Sequence, residues 1–309
     1  MIGIIILNYK NWNDTRRCVK SIYKNPPKDR YLIILVDNAS ENKPDYDLEK
    51  FIKRYQIDFI VNKKNKGYNA GNNCGIQRAF ELGCDYILIS NSDVCYSPQS
   101  IQFMKDYLYR NPTVGIVGPR ILDAKGHIQK SCIFHKTDLK DKYMVRTRAN
   151  ILFRKQWKDY FGCKKDYEHV SEVYAVLGCC FMMSKLCAET VTPLDEYPFL
   201  YEEELILGIK MNEKGLRTVY YPNAVVKHLH GSSTKYVKAF AFAHNVRSEI
   251  YYCRNYLHAE RWKLYPLYGY RILLYLIRCI KYEDFRKKWK WFIQLTRKEF
   301  YDRHRYIDK

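Results

Sequence analysis

The first 120 residues alternate between short unbroken apolar runs and longer amphipathic stretches. Gly3 to Leu7, Tyr31 to Val36, Ile57 to Val61, Tyr86 to Ile89 and Val114 to Val117 are apolar runs of strand length bounded by polar residues. Runs of that kind predict strands covered on both faces. Between them, Asn13-Asp14-Thr15 caps a predicted helix that ends near Tyr23, before Asn25-Pro26-Pro27. Further helices are expected from about Pro44 to Tyr55, Gly71 to Leu82 and Pro98 to Tyr109. This alternation implies β-α-β units with right-handed crossovers, hence an α/β fold with a mostly parallel twisted sheet flanked by helices.

Three of the strands end on polar clusters: Asn8-Tyr9-Lys10, Asp37-Asn38 and Asn91-Ser92-Asp93. Ligands of open parallel sheets bind outside the carboxyl ends of the strands, so these clusters are expected to share a cleft. Taken alone, Asn91-Ser92-Asp93 reads equally as an ordinary turn. No Gly-x-Gly-x-x-Gly or phosphate-loop Gly-Lys-Ser/Thr follows the first strand, which argues against a dinucleotide oxidoreductase or a phosphate-loop NTPase. A carboxylate such as Asp37 can still grip a uracil or ribose through charge-assisted hydrogen bonds. In Asn65 to Gly75, Gly67 and Gly71 fall before or at a helix start. Small residues there allow close approach of backbone to a nucleotide, or simply form a Gly/Asn turn that caps the helix.

Composition changes this picture in two ways. With 309 residues, 47% apolar and 28% charged, the chain is a folded protein of one large or two modest domains. Its 53 basic against 33 acidic residues give a net charge of +20, and residues 239–309 alone hold 16 Lys/Arg against 7 Asp/Glu. Such a surface asks for an anionic partner: nucleic acid, an acidic membrane face or a phosphorylated substrate. The eleven cysteines contain no Cys-x-x-Cys, which points to reduced thiols in a cytosolic compartment. Met1 to Lys10 lacks the basic region and cleavage site of a signal peptide and reads as a first strand.

Ile5-Ile6-Leu7-Asn8-Tyr9, Val36-Asp37-Asn38-Ala39-Ser40, Asn65 to Asn73, Asn91-Ser92-Asp93-Val94 and Gly118-Pro119-Arg120-Ile121 stand in the order found in glycosyltransferase family 2. From Ile2 to about Ser233 the chain resembles that family, most closely its bacterial rhamnosyltransferase-like members, which have the GT-A fold. The resemblance implies a catalytic domain over residues 1–235, with a nucleotide-sugar half (1–122) and an acceptor half (123–235). A C-terminal, basic and aromatic helical region follows over 236–309. It implies that Asn8, Tyr9, Asp37, Asn38, Asn65, Gly67, Asn69, Gly71 and Asn72 line the nucleotide-sugar site, with Asn91 and Ser92 beside them. The family's Asp-x-Asp reads Asn91-Ser92-Asp93 here, so Asp93 alone keeps the carboxylate and is the expected ligand of a divalent metal, Mg²⁺ or Mn²⁺.

The second half implies the acid-base chemistry. Val173 to Met183 resembles the family's strand below the acceptor site. Phe199-Leu200-Tyr201 leads into Glu202-Glu203-Glu204, which as a bare run would only favour a helix dipole. The resemblance makes Glu204 the general base, with Glu203 as its rival. A strand is expected over Thr218 to Tyr221, and after it Pro222 to Ser233 matches a further family motif, which places His228 as a second ligand of metal or diphosphate and sets His230 nearby. His258-Ala259-Glu260-Arg261-Trp262 mimics the Gln-x-x-Arg-Trp of processive synthases without the Gln, so a non-processive enzyme is expected.

Leu264 to Ile280 is apolar but carries Arg271 and Arg278 and falls short of the ~20 uninterrupted apolar residues of a spanning helix. Leu273, Leu274, Leu276 and Ile277, then Trp289, Trp291 and Phe292 among lysines, suit a helix lying in the headgroup region of an anionic membrane. A helix packed on the domain or a homodimer contact is the alternative. The expected function is inverting transfer of a sugar from dTDP-rhamnose or a UDP-hexose to a hydroxyl of a lipid-linked glycan or other glycan acceptor. The expected location is cytoplasmic, peripheral at the inner face of the cell membrane, with no nucleic-acid partner. A nucleotidyltransferase and a basic nucleic-acid-binding protein are the rival readings.

Overall fold

The structure, a computed structural model, describes residues 1–44, 46–130, 132–162, 167–229 and 238–302. Strand β1 (Ile2–Asn8) shows why the apolar runs are unbroken. Ile2, Ile4 and Ile6 enter one core cluster and Ile5 the opposite one. β2 (Tyr31–Asp37), β3 (Asp58–Val61) and β4 (Tyr86–Asn91) complete a parallel set in the order β3-β2-β1-β4. The helices between them are α1 (Trp12–Lys24), α2 (Tyr46–Arg54) and α3 (Tyr68–Glu81).

The chain leaves β1 towards β2 and β3 and returns on its other side as β4, so β1 lies at a topological switch point. Asn8 is in register with Asp37, and Leu7 with Asn91. The three polar strand ends therefore stand side by side.

Beyond β4 the sheet changes character. β5 (Val94–Tyr96), α4 (Ser100–Arg110) and β6 (Val114–Leu122) are followed by α5 (Leu139–Met144), a 3₁₀ turn (Arg148–Ile151) and α6 (Arg154–Tyr160). β7 (Ser171–Val173), β8 (Cys180–Ser184), α7 (Lys185–Val191), α8 (Glu203–Glu213) and β9 (Arg217–His228) complete the sheet. β8 runs antiparallel between β4 and β6, and β5 and β7 are antiparallel to β9. The sheet is thus mixed, parallel in its first half and half-inverted in its second.

Four of the boundaries that differ from the sequence reading have a visible cause. Asn11, not Asn13, caps α1, and Asp14 and Thr15 are buried in its first turn. α3 begins at Tyr68 because the positive φ of Gly67 turns the chain there and Phe199 accepts the Tyr68 N–H at 3.0 Å. The expected single strand from Val173 to Met183 is broken into β7 and β8. Tyr174 and Ala175 donate their N–H groups to Ile133, leaving the ladder. The strand expected over Thr218 to Tyr221 continues through Pro222 to His228, accommodated by a register shift opposite Pro119/Arg120.

α9 (Lys238–Asn255), α10 (Arg261–Lys281), α11 (Glu283–Lys287) and α12 (Trp289–Tyr301) form the C-terminal region. α9 shares a third core cluster with Leu205, Ile206 and Ile209 of α8, so these helices pack directly against the second half of the sheet domain. Trp289, Trp291 and Phe292 belong to this cluster: Phe292 stacks on Tyr275 at 3.9 Å and Trp291 on Phe240 at 5.6 Å. Their place is the helix-helix core, which corrects the expectation that they reach towards headgroups. Burying large rings between helices outweighs any pull outward.

Candidate active site

The polar strand ends of β1 and β2 form one hydrogen-bonded network. Asp37 is buried and accepts from Asn8 Nδ2 at 2.9 Å, from the Ser40 N–H at 3.1 Å and from Ser40 Oγ at 2.5 Å. Asn8 is itself held by Thr15 Oγ1 at 2.9 Å, so it orients Asp37 and has little capacity left for a ligand. Asn38 donates to Asn65 Oδ1 and to the Gly67 carbonyl, both at 3.0 Å. Asn65 Oδ1 also accepts the Gly67 N–H at 2.9 Å. Tyr9 is half-buried at the rim, with Lys10 Nζ 5.1 Å from its ring centroid.

The Asn65–Asn73 segment ties this network to the second half. A Cβ on Gly67 would lie 2.6 Å from the Phe199 carbonyl oxygen, so no other residue fits that approach. Asn69 donates to the Asp195 carbonyl at 2.7 Å, and Asn73 exchanges two hydrogen bonds with the Leu194 backbone. Gly71 packs against Leu7 and Asn38, where a Cβ would meet Leu7 Cδ1 at 2.5 Å. Asn72 is fully buried, and among the described residues its Oδ1 has no hydrogen-bond partner.

Asn91-Ser92-Asp93 is a tight turn from β4 into β5, so the turn reading and the site reading describe the same residues. The Asn91 N–H donates to the Cys179 carbonyl at 2.8 Å, and Ser92 is buried. Pairing of β5 with β9 sets Val94 opposite His228 and brings Asp93 Oδ1 to 3.2 Å from His228 Nε2. One carboxylate oxygen and one imidazole nitrogen, both largely buried, suit a hard or borderline divalent cation. Diphosphate oxygens and water can complete its shell. Among the described residues no group of three or more His, Cys, Asp and Glu converges. His230 lies outside the described residues.

In the second half of the sheet domain the three glutamates part company. Tyr201 and Glu202 both take left-handed backbone conformations, with φ of 74° and 71°, at a cost of about 1–3 kcal/mol each. Glu202 turns inward to a buried ion pair with Lys142 Nζ at 2.6 Å, both side chains essentially without solvent exposure. Lys142 also sits 4.8 Å from the Tyr252 ring centroid. Glu203 and Glu204 then open α8.

Glu204 is half-buried, and its Oε1 accepts the Gly178 N–H at 3.0 Å. The Gly178 carbonyl accepts from Tyr68 Oη at 2.5 Å. One residue, Gly178, thus joins the start of α3 to the start of α8. Tyr68, Asn69, Gly178, Glu203 and Glu204 line a common pocket. Burial, followed by the Glu204 charge, pushes the Glu203 carboxyl well above its usual range, and among the described residues its Oε1 has no hydrogen-bond partner. Burial also raises Glu204, and there backbone N–H groups, including that of Gly178, pull the other way.

Helix α9 braces the same segment. Tyr251 and Tyr256 donate to Asp195 Oδ2 at 2.8 and 2.6 Å, and Ser248 donates to the Leu200 carbonyl at 2.8 Å. Lys142, Tyr68 and Asp195 were not singled out in the sequence. Lys142 sits in a basic stretch and carries no local mark that separates it from a surface lysine.

Comparison with known proteins fits this geometry. Residues 3–159, just over half of the chain, match Glycosyl transferase family 2. The chain belongs to glycosyl transferase family 2. It is 25% identical over 211 residues to an N-acetylglucosaminyl-diphospho-decaprenol L-rhamnosyltransferase of Mycobacterium tuberculosis, covering 65% of this chain and 67% of that protein. It is also 25% identical over 205 residues to a low-salt glycan biosynthesis hexosyltransferase of Haloferax volcanii, covering 66% of this chain and 59% of that protein.

Among solved structures the family 2 chain superposes on GalNAc-T7 with UDP, GalNAc and Mn²⁺, with a TM-score of 0.59 and 17% identity, over 96% of this chain and 57% of that one. A mannosyltransferase of Pyrobaculum calidifontis with GDP-Man and Mn²⁺ gives 0.57 and 13%, over 98% and 88%. These likenesses show the GT-A fold. With the family match, glycosyl transfer is favoured over the nucleotidyl-transfer and nucleic-acid readings.

Proposed function

We propose that this glycosyltransferase is inverting and non-processive, using a nucleoside-diphosphate sugar and a hydroxyl of a lipid-linked glycan. The observation that carries the reading is Glu204, a half-buried carboxyl held by the Gly178 N–H in a pocket it shares with Tyr68 and Asn69. Two adjacent carboxyls in a poorly solvated site do not both ionise. Glu203, the more buried, keeps the proton, and Glu204 is the base that takes the acceptor hydroxyl's proton. The oxygen so freed bonds to the anomeric carbon as the bond from that carbon to the diphosphate breaks on the opposite face. Asp37 orients the nucleotide, and Asp93 with His228 would hold the divalent cation. When bound, that cation supplies positive charge to the departing diphosphate.

The relative from Mycobacterium tuberculosis is named for rhamnosyl transfer to a diphospho-decaprenol acceptor, which supports dTDP-rhamnose as donor, with UDP-hexoses next. The activity is placed at the inner face of the cell membrane. The decisive test is Glu204→Gln, for which donor binding is retained and turnover falls at least about 100-fold. Near-normal turnover in that variant, with loss in Glu203→Gln, would reverse the assignment. A thermal-shift screen of nucleoside-diphosphate sugars with and without Mg²⁺ or Mn²⁺ names the donor by selective stabilisation.

A further inference from the structure

We infer that the outer face of α10, with the neighbouring Ile151-Leu152, docks on the surface of an anionic lipid bilayer. Leu264, Tyr268 and Tyr275 turn inward to the C-terminal core, and Leu267 is buried as well. Arg271 is buried too, bonded to both oxygens of Glu249 at 2.7 and 2.8 Å, so it does not interrupt the outer face. On that face Trp262, Pro266, Gly269, Leu273, Leu276 and Ile280 are exposed at successive steps of three or four residues. They form a stripe running the length of the helix, about 30 Å at 1.5 Å per residue. Leu273, Leu276 and Ile277 are 54%, 43% and 49% exposed, and Ile280 is 83% exposed.

The stripe is widened from outside the helix. The Arg148 N–H donates to Tyr270 Oη at 3.0 Å, which fixes the 3₁₀ turn against α10 and leaves Ile151 and Leu152 at 62% and 83% exposure. An apolar surface of this extent marks an interaction site.

Charge selects the occupant. Arg148, Arg154, Lys155 and Lys281 are exposed around the stripe. Burial and then the charges of Arg271 and Arg148 lower the pKa of Arg278, as expected where cations crowd. The exposed acids nearby, Glu260 and Glu283, are each paired with a lysine at 2.9 Å. A second copy of a region carrying 16 basic and 7 acidic residues would bring like charges together, whereas an anionic bilayer satisfies both the apolar stripe and its basic border. No helix among the described residues is long and apolar enough to cross the membrane, so the contact is with the surface. The inference rests on the lipid-linked acceptor for its purpose, not for its geometry.

The test is co-sedimentation of the full chain with phosphatidylcholine vesicles, with and without phosphatidylglycerol. Binding is expected only to the anionic vesicles and is weakened by salt. Leu276→Asp/Ile280→Asp should lower it at least about tenfold with the melting temperature and donor turnover unchanged. Equal vesicle binding by variant and wild type overturns the proposal, as does a dimer in light scattering that the same substitutions dissolve without any vesicle binding. Donor turnover reports separately on the glycosyl-transfer reading, so loss of one leaves the other standing.

Discussion

The two halves of the sheet domain hold their candidate carboxylates by different means. On the proposed nucleotide side, Asp37 is fixed by Asn8 and Ser40, short polar residues at adjacent strand ends. On the proposed acceptor side, the glutamate turn is fixed by Lys142, sixty residues away in sequence, in a buried ion pair. Hydrogen bonds from neutral donors to a carboxylate are worth about 1.5–3 kcal/mol each, and Asp37 accepts three of them, so the loss of one donor leaves the others in place. A buried ion pair gains little over an apolar replacement of both partners but fails abruptly when one partner is lost. The nucleotide side should therefore tolerate single changes and the acceptor side should not.

The largest expected effect breaks that contrast at its strongest point. Lys142→Met leaves Glu202 charged and buried, and urea denaturation should show a loss of about 3–5 kcal/mol. Lys142→Met/Glu202→Leu should recover most of it. If the single and double variants are equally unstable, the ion pair is not what holds the turn.

Next comes Gly178, where a Cβ would stand 2.8 Å from Glu204 Oε1. Gly178→Ala displaces the carboxyl the peptide N–H holds, and kcat should fall about 100-fold, roughly 2.7 kcal/mol, with KM for the donor little changed. A rise in donor KM instead would move Gly178 to the nucleotide side. The smallest effect is expected at Asp37→Asn. The amide cannot accept from all three donors, so stability should fall by about 1–2 kcal/mol and donor affinity about tenfold, read by calorimetry.

The pH dependence sharpens the same contrast, because the carboxyls have opposite signs. The folded pKa of Glu203 and Glu204 is raised by burial, so their contribution to stability is full below the unfolded carboxyl pKa and is lost as pH rises through the folded value. At Glu249 burial alone would raise the pKa, but the hydrogen bonds and charge of Arg271 outweigh it and the folded value is lowered. Its contribution is present above the unfolded pKa and disappears as pH falls through the folded one. Turnover, which needs Glu204 ionised, should rise with pH through the raised pKa while the Glu204→Gln variant shows no such limb.

Legibility in the sequence followed locality. The strands β1, β2 and β4 were readable because burial on both faces writes itself as an unbroken apolar run. Their polar ends were readable because they break that run. The start of α3 was misplaced by three residues because Tyr68 is held by Phe199, more than a hundred residues on. Glu202, Glu203 and Glu204 read as one acidic run, yet two left-handed residues send the first to an ion pair and the other two to the pocket. Trp289 and Leu276 both read as aromatic or aliphatic residues among basic ones, and only packing sent the first inward and left the second exposed.

The alternating α/β order, the row of polar strand ends and, through the motifs, the family and the candidate carboxylates follow from consecutive residues, because burial and strand period are properties of a local run. That Lys142 anchors Glu202, that Gly178 joins Tyr68 to Glu204, and which face of α10 remains outside appear only in the folded chain. A buried charge pair, a residue shared by two helix starts and the choice of packed face depend on segments brought together only when the chain closes.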